Sequence, residues 1–78
     1  MGRIKPNQTL DLIGVACPQN AARALLKLEA MESGSILEVI VDDGEPIKNV
    51  SPSIKDGGHE IIDIMMANDK WRMLIRRG

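Results

Sequence analysis

Apolar and polar positions change period several times along this chain, and each change marks an element. "TLDLI" (residues 9–13) alternates as a short strand does and stops at Gly14. From Pro18 onward Ala21, Ala24, Leu25, Leu28 and Met31 recur at helical spacing, with Arg23, Lys27 and Ala30 on the opposite side, which predicts an amphipathic helix. Its end is expected at "ESGS", where Gly34 can adopt the left-handed conformation of a C′ residue. "ILEVIVDD" is apolar except for Glu38 and predicts a second strand covered on at least one face. Ile47, Val50 and Ile54 then restore the helical spacing. A second helix is expected over about 46–56, opened by Pro46, distorted near Pro52 and closed by Gly57 and Gly58. "HEIIDIMMA" and "WRMLIRR" flank the tight turn "NDK" and read as an antiparallel hairpin.

The predicted order is β-α-β-α-β-β. A strand, a helix and a strand in succession form a parallel unit, and both helices bury their apolar stripes most simply on one face of the sheet. The fold class is therefore α/β: a two-layer sandwich with a mixed four-stranded sheet and two helices on one face. Residues 1–8 are polar and expected to be a flexible tail, leaving 9–78 as a single domain.

Composition narrows the core and the partners. Hydrophobic residues make up 44% and charged residues 27% of the 78, as in an ordinary globular chain, with no apolar leader or membrane-crossing stretch; a cytoplasmic protein is expected. Phe and Tyr are missing, so aliphatics and five methionines must fill the interior, Met65 and Met66 among them. A net charge of −1 offers no long-range attraction to phosphate backbones. The basic residues Lys70, Arg72, Arg76 and Arg77 cluster on the last strand, where Trp71 is the only aromatic available for stacking, so direct nucleic-acid binding is not expected. Those arginines are read instead as edge protection or a contact for an acidic partner. Alternation places Trp71, Met73 and Ile75 on the face away from Arg72 and Arg76.

The candidate chemistry lies in "GVACPQN", residues 14–20. A single cysteine makes no internal disulfide and, with one histidine, no ordinary four-ligand zinc site; no metal and no cofactor are expected. If Pro18 is the first helical residue, Cys17 is the N-cap, beside free backbone N–H groups and the positive end of the helix dipole. Such positions lower a thiol's pKa from about 8.5 towards neutrality and favour the nucleophilic thiolate. Pro18, Gln19 and Asn20 supply that helix terminus. A lone cysteine is otherwise commonly a small buried hydrophobe, but an exposed strand-to-helix loop has no need of one. With no resolving thiol in the chain, whatever Cys17 accepts must pass to another molecule. His59 lies beyond the second helix, and nothing in the sequence brings it to Cys17.

"LDLIGVACPQN" resembles the opening of the TusA/SirA-like sulfur-carrier family, whose pattern runs Leu-Asp-x-x-Gly-Leu-x-Cys-Pro-x-Pro. Leu10, Asp11, Gly14, Cys17 and Pro18 stand at matching positions, and weaker matches in "GSILEVIVDD", "GGHEI" and "LIRR" extend the resemblance over about residues 10–77. The resemblance implies the β-α-β-α-β-β sandwich. It also implies that Cys17 carries sulfur as a persulfide, taken from a donor such as a cysteine desulfurase or rhodanese and handed to an acceptor protein, by a domain expected to be monomeric. The chain departs from the pattern at Asn20, which replaces the second proline and adds a backbone N–H and a polar side chain at the helix start; Val15 replaces the commoner Leu. The competing function is a regulatory or interaction module whose cysteine is redox-sensitive or dispensable.

Asp42, Asp43 and Glu45 close the second strand, and parallel pairing would set them at the same sheet edge as Cys17. They are possible partner contacts or a brake on thiolate formation, against the simpler reading of a solvated loop with acids near a helix N-terminus.

Overall fold

The computed structural model of the chain describes residues 6–16 and 18–78, so that Cys17 and the first five residues lie outside the described residues. Six elements follow one another: β1 (Gln8–Asp11), α1 (Gln19–Glu29), β2 (Ile36–Asp42), α2 (Glu45–Asp56), β3 (Glu60–Ala67) and β4 (Lys70–Arg76). The strands form one sheet in the order β1-β2-β4-β3, with β1 parallel to β2 and the other two pairings antiparallel. The predicted fold class is the one observed.

Strict alternation along β2 builds the interface with the helices. Leu37, Val39 and Val41 are fully buried, and Leu37 and Val39 lie opposite the equally buried Ile75 and Met73 of β4. Against this face pack Ala21, Ala24 and Leu28 of α1, Met31 just beyond it, and Val50 and Ile54 of α2. Burying a side chain such as Leu28 or Ile54 contributes about 1.5–3 kcal/mol, so these few aliphatics are the main cohesive force of a small domain whose only aromatic is Trp71.

The other sheet face carries a polar network around the buried Leu74. Thr9 Oγ1 donates to Glu38 Oε1 (3.0 Å), Arg72 Nε lies 2.8 Å from Glu38 Oε2, and Arg76 pairs with Glu60. The expected alternation of β4 is therefore observed, but the arginines do not guard an edge. β4 is an inner strand, and both Arg72 and Arg76 are engaged across it by neighbouring strands.

Three further expectations need correction. Met65 and Met66 fill β3 as strand residues but are each 47% exposed rather than core: Met65 lies opposite Arg72, on the sheet face without helices, and Met66 lies opposite Trp71 near the hairpin end of an outer strand. α1 ends at Glu29, with Ala30 as its cap, well before Gly34. Gly34 does take the left-handed conformation (φ +87°), but in a turn of its own where its N–H donates to Arg77 O (3.0 Å). Pairing also starts earlier than the predicted tail boundary, since Asn7 N–H donates to Ile36 O and Asn7 Oδ1 accepts from Ile36 N–H, both at 2.7 Å.

Pro52 stands inside α2 without ending it. Its missing N–H leaves the carbonyl of Lys48 unpaired within the helix, and both residues are exposed, so water can satisfy that oxygen.

Candidate functional site

The turn from β1 into α1 is tied on both sides of Cys17. Leu12 is 1% exposed and its N–H donates to Ile40 O (2.8 Å), continuing the parallel pairing past the strand end. Asp11 Oδ1 accepts from Ile13 N–H (2.9 Å), the Asx turn that aspartate readily forms. Gly14 follows at φ +77°, a conformation that disfavours any side chain, and its N–H donates to Asp42 Oδ2 (2.9 Å) at the end of β2.

Beyond Cys17, Pro18 is exposed and serves as the cap of α1, one residue later than expected; Gln19 is the first helical residue and is also exposed. Helix starts are defined to within a residue or so, and here the Asn20 N–H already donates to Ala16 O (3.1 Å), a bond of helical reach that draws Ala16 and Pro18 into one turn. Pro18 makes no side-chain cap hydrogen bond and no acid occupies the first turn among the described residues, so the terminus of α1 keeps its positive character.

Asn20 is the surprise of the turn, being completely buried. Its Oδ1 accepts from Ala21 N–H (2.7 Å) and from Asn49 Nδ2 on α2 (3.0 Å), while its own Nδ2 is buried without a partner among the described residues. The burial was readable: continuing the stripe Ala24, Leu28 back by four residues lands on Asn20. Asn49 carries no such signal, because it lies 29 residues away and only the packing of α1 on α2 brings the two amides together.

Both helices begin at the same sheet edge, the carboxyl ends of β1 and β2, where ligands of open α/β sheets bind. The acidic residues predicted there are at this edge, and each has a local position. Asp42 holds Gly14, Asp43 Oδ1 accepts from Trp71 Nε1 (2.8 Å), and Glu45 is exposed in the first turn of α2. Trp71, which the sequence did not single out as a site residue, is thereby fastened beside the β2–α2 loop. A depression of about 260 Å³ opens at the same end, between Asp11, Ile13 and Ile40 on one side and Lys70, Trp71 and Arg72 on the other. His59 precedes Glu60, which pairs with Arg76 and through it lies level with Ile36; that is the opposite end of the sheet. Its Nδ1 accepts from Gly78 N–H (3.0 Å), a structural contact.

A parallel β-α-β opening on a mixed four-stranded sheet, with the chain's only cysteine directly before the cap of α1 in the sequence, defines a class of small α/β domain built around one thiol position. The chain belongs to the sulfurtransferase TusA family, whose model matches residues 8–77. A "Putative sulfur carrier protein" of Archaeoglobus fulgidus is 37% identical over 76 residues, covering 96% of this chain and 86% of the relative. The "Putative sulfur carrier protein YedF" of Escherichia coli K12 is 31% identical over 77 residues, covering 99% of this chain and all of the relative. The crystal structure of a SirA-like protein from Desulfitobacterium hafniense shares the fold with a TM-score of 0.77 at 25% identity, over 91% of this chain and 97% of that one.

Proposed function

We propose that this protein is a sulfur carrier of sulfurtransferase type: Cys17 accepts sulfur as a persulfide from a donor protein of cysteine desulfurase or rhodanese type and passes it to an acceptor protein in a sulfur relay. The observation that supports this reading is the place of the only thiol in the sequence, directly before Pro18, which caps α1 without a side-chain hydrogen bond. The names of the relatives, sulfur carriers in both cases, point the same way.

The chemistry balances without a cofactor. The Cys17 thiolate attacks the outer sulfur of the donor's persulfide, the donor's S–S bond breaks, its thiolate leaves, and a new S–S bond forms on Cys17. Discharge repeats the exchange with an acceptor nucleophile, which takes the outer sulfur and returns Cys17 as thiolate. The positive end of α1 favours both anions, the attacking thiolate and the loaded persulfide. A lone thiol of this kind suits the reducing cytoplasm, and a monomer suits a carrier that must meet two partners in turn. Asp43 and Glu45, at the same edge, are positioned to meet those partners.

Cyanolysis tests the reading. Protein loaded by a persulfide donor and freed of it is expected to release one thiocyanate per chain on treatment with cyanide, and Cys17→Ser none. Equal release from Cys17→Ser would contradict the assignment.

A further inference from the structure

We propose that the depression on the helix-free face of the sheet docks an acidic segment of a partner protein, an extended stretch that carries a carboxylate two residues from an apolar side chain. The inference rests on the carrier reading only for the identity of that partner, a protein that gives or takes the sulfur. Register places the depression: Ile40 lies between Asp11 of β1 and Arg72 of β4, and Lys70 and Ala67 face each other two residues nearer the hairpin turn. These residues share the face of Glu38, away from the buried Val39 and Val41. Ile13, Ile40 and Ala67 make part of the lining apolar, and Met65, on the same face as Ala67, adds an exposed and adaptable thioether beside it. The charged groups of the lining are the cations Lys70 and Arg72 and one anion, Asp11. Arg72 gives Glu38 its Nε, which leaves both Nη groups without a partner among the described residues, and Lys70 has no ion pair among them either. The nearby carboxylates are engaged, since Asp11 Oδ1 accepts from Ile13 N–H and Asp42, opposite Lys70, accepts from Gly14 N–H. What stands unmatched beside an apolar surface is therefore a set of cationic donors, and a carboxylate next to an apolar group complements it. Size decides between a free acid and a protein segment. At about 260 Å³ the depression is smaller than the roughly 300–1,000 Å³ of small-molecule sites, and Asp11, Asn68, Lys70 and Arg72 around it are exposed, so it does not enclose a ligand as such sites do. It has room for one or two side chains of a larger body that rests on the sheet around it. Residues two apart in an extended chain point the same way, which sets the spacing of the carboxylate and the apolar group.

The probe is the blocked peptide Ac-Glu-Ser-Leu-Ser-Glu-NH₂, titrated at low ionic strength into isotope-labelled protein. The readouts are the amide resonances of Ile40, Ala67 and Lys70 and the indole N–H of Trp71, the single tryptophan, which also lines the depression. Saturable shifts centred on these residues are expected. Replacing both Glu of the peptide by Gln, or Lys70→Glu in the protein, is expected to weaken binding about fivefold, the scale of charge contacts at a partly exposed site. Lys70 is exposed, so Lys70→Glu keeps the fold, which unchanged resonances of the buried Leu28 and Ile54 verify. The proposal is overturned if no saturable shifts occur there, or if the Gln peptide or Lys70→Glu binds as tightly as the originals. Acetate that shifts the same resonances as strongly as the peptide would make this a site for a free carboxylate. Shifts of those resonances on dilution of the protein alone would make its occupant a second copy, and either result also overturns the proposal. Sulfur loading is measured separately: its failure with peptide binding intact would remove the carrier reading and leave the docking site, and loading without peptide binding would do the reverse.

Discussion

Asp42 shows how one carboxylate at the end of a strand can govern a site on a neighbouring loop. Its Oδ2 accepts the N–H of Gly14, a residue with left-handed backbone in the turn between β1 and α1. Asp42→Ala is expected to cost about 1 kcal/mol in urea unfolding, the usual worth of one hydrogen bond. Asp42→Asn keeps an acceptor and is expected to stay within about 0.5 kcal/mol of wild type, which separates the bond from the charge. A loss in Asn as large as in Ala would show that charge, not the turn, is what Asp42 contributes. Of the candidate site, the sequence made legible the exposed helix start at Pro18 and Gln19 and the acidic edge, because these are adjacent in the chain or aligned by parallel pairing. It left unread the Asn20–Asn49 and Asp43–Trp71 contacts, which join residues 28 or 29 positions apart and depend on how helix packs on helix and strand on loop.

At the scale of elements, local sequence and tertiary packing disagree in two places. α2 tolerates Pro52 because its inward residues, Val50 and Ile54, are fully buried on the sheet while the proline faces water. Pro52→Ala restores the missing helix bond and is expected to stabilise the domain by at least about 1 kcal/mol, the helix penalty of proline less its entropic benefit in the unfolded chain. No gain in thermal unfolding would mean that Lys48 O has lost nothing. The β3–β4 turn places Asn68 (φ 54°) and Asp69 (φ 64°) both in the left-handed region, the type I′ geometry that matches the twist of a hairpin and prefers glycine second. Asp69→Gly is therefore expected to raise stability by about 0.5–1 kcal/mol, and a loss would contradict that account of the turn. The "NDK" signal disclosed the turn; the early end of α1 was hidden because Met31, already past the helix, still fits its stripe.

Across the whole molecule, the period changes of the sequence were enough for the element order and the two-layer architecture. They were not enough for the strand order, and so misplaced β4 at an edge and Met65 and Met66 in the core. Periodicity reports which side of a strand is apolar, whereas the neighbours of that strand are decided by the crossover of the first β-α-β unit and by where the hairpin docks. The sheet places the carboxyl ends of β1 and β2, both helix starts and Trp71 at one edge, and keeps His59 at the other. This polarity is what the carrier reading needs: one end for sulfur and its partners, and a body that only supports it. The most direct measurement is the intact mass of the protein after incubation with a cysteine desulfurase, its cofactor and cysteine, beside Cys17→Ser treated alike. The account predicts a gain of one sulfur atom that reductant removes and that the Ser variant lacks. A wild-type mass unchanged by donors of both desulfurase and rhodanese type, or an equal gain in Cys17→Ser, would contradict it and favour an interaction module in which the cysteine is dispensable.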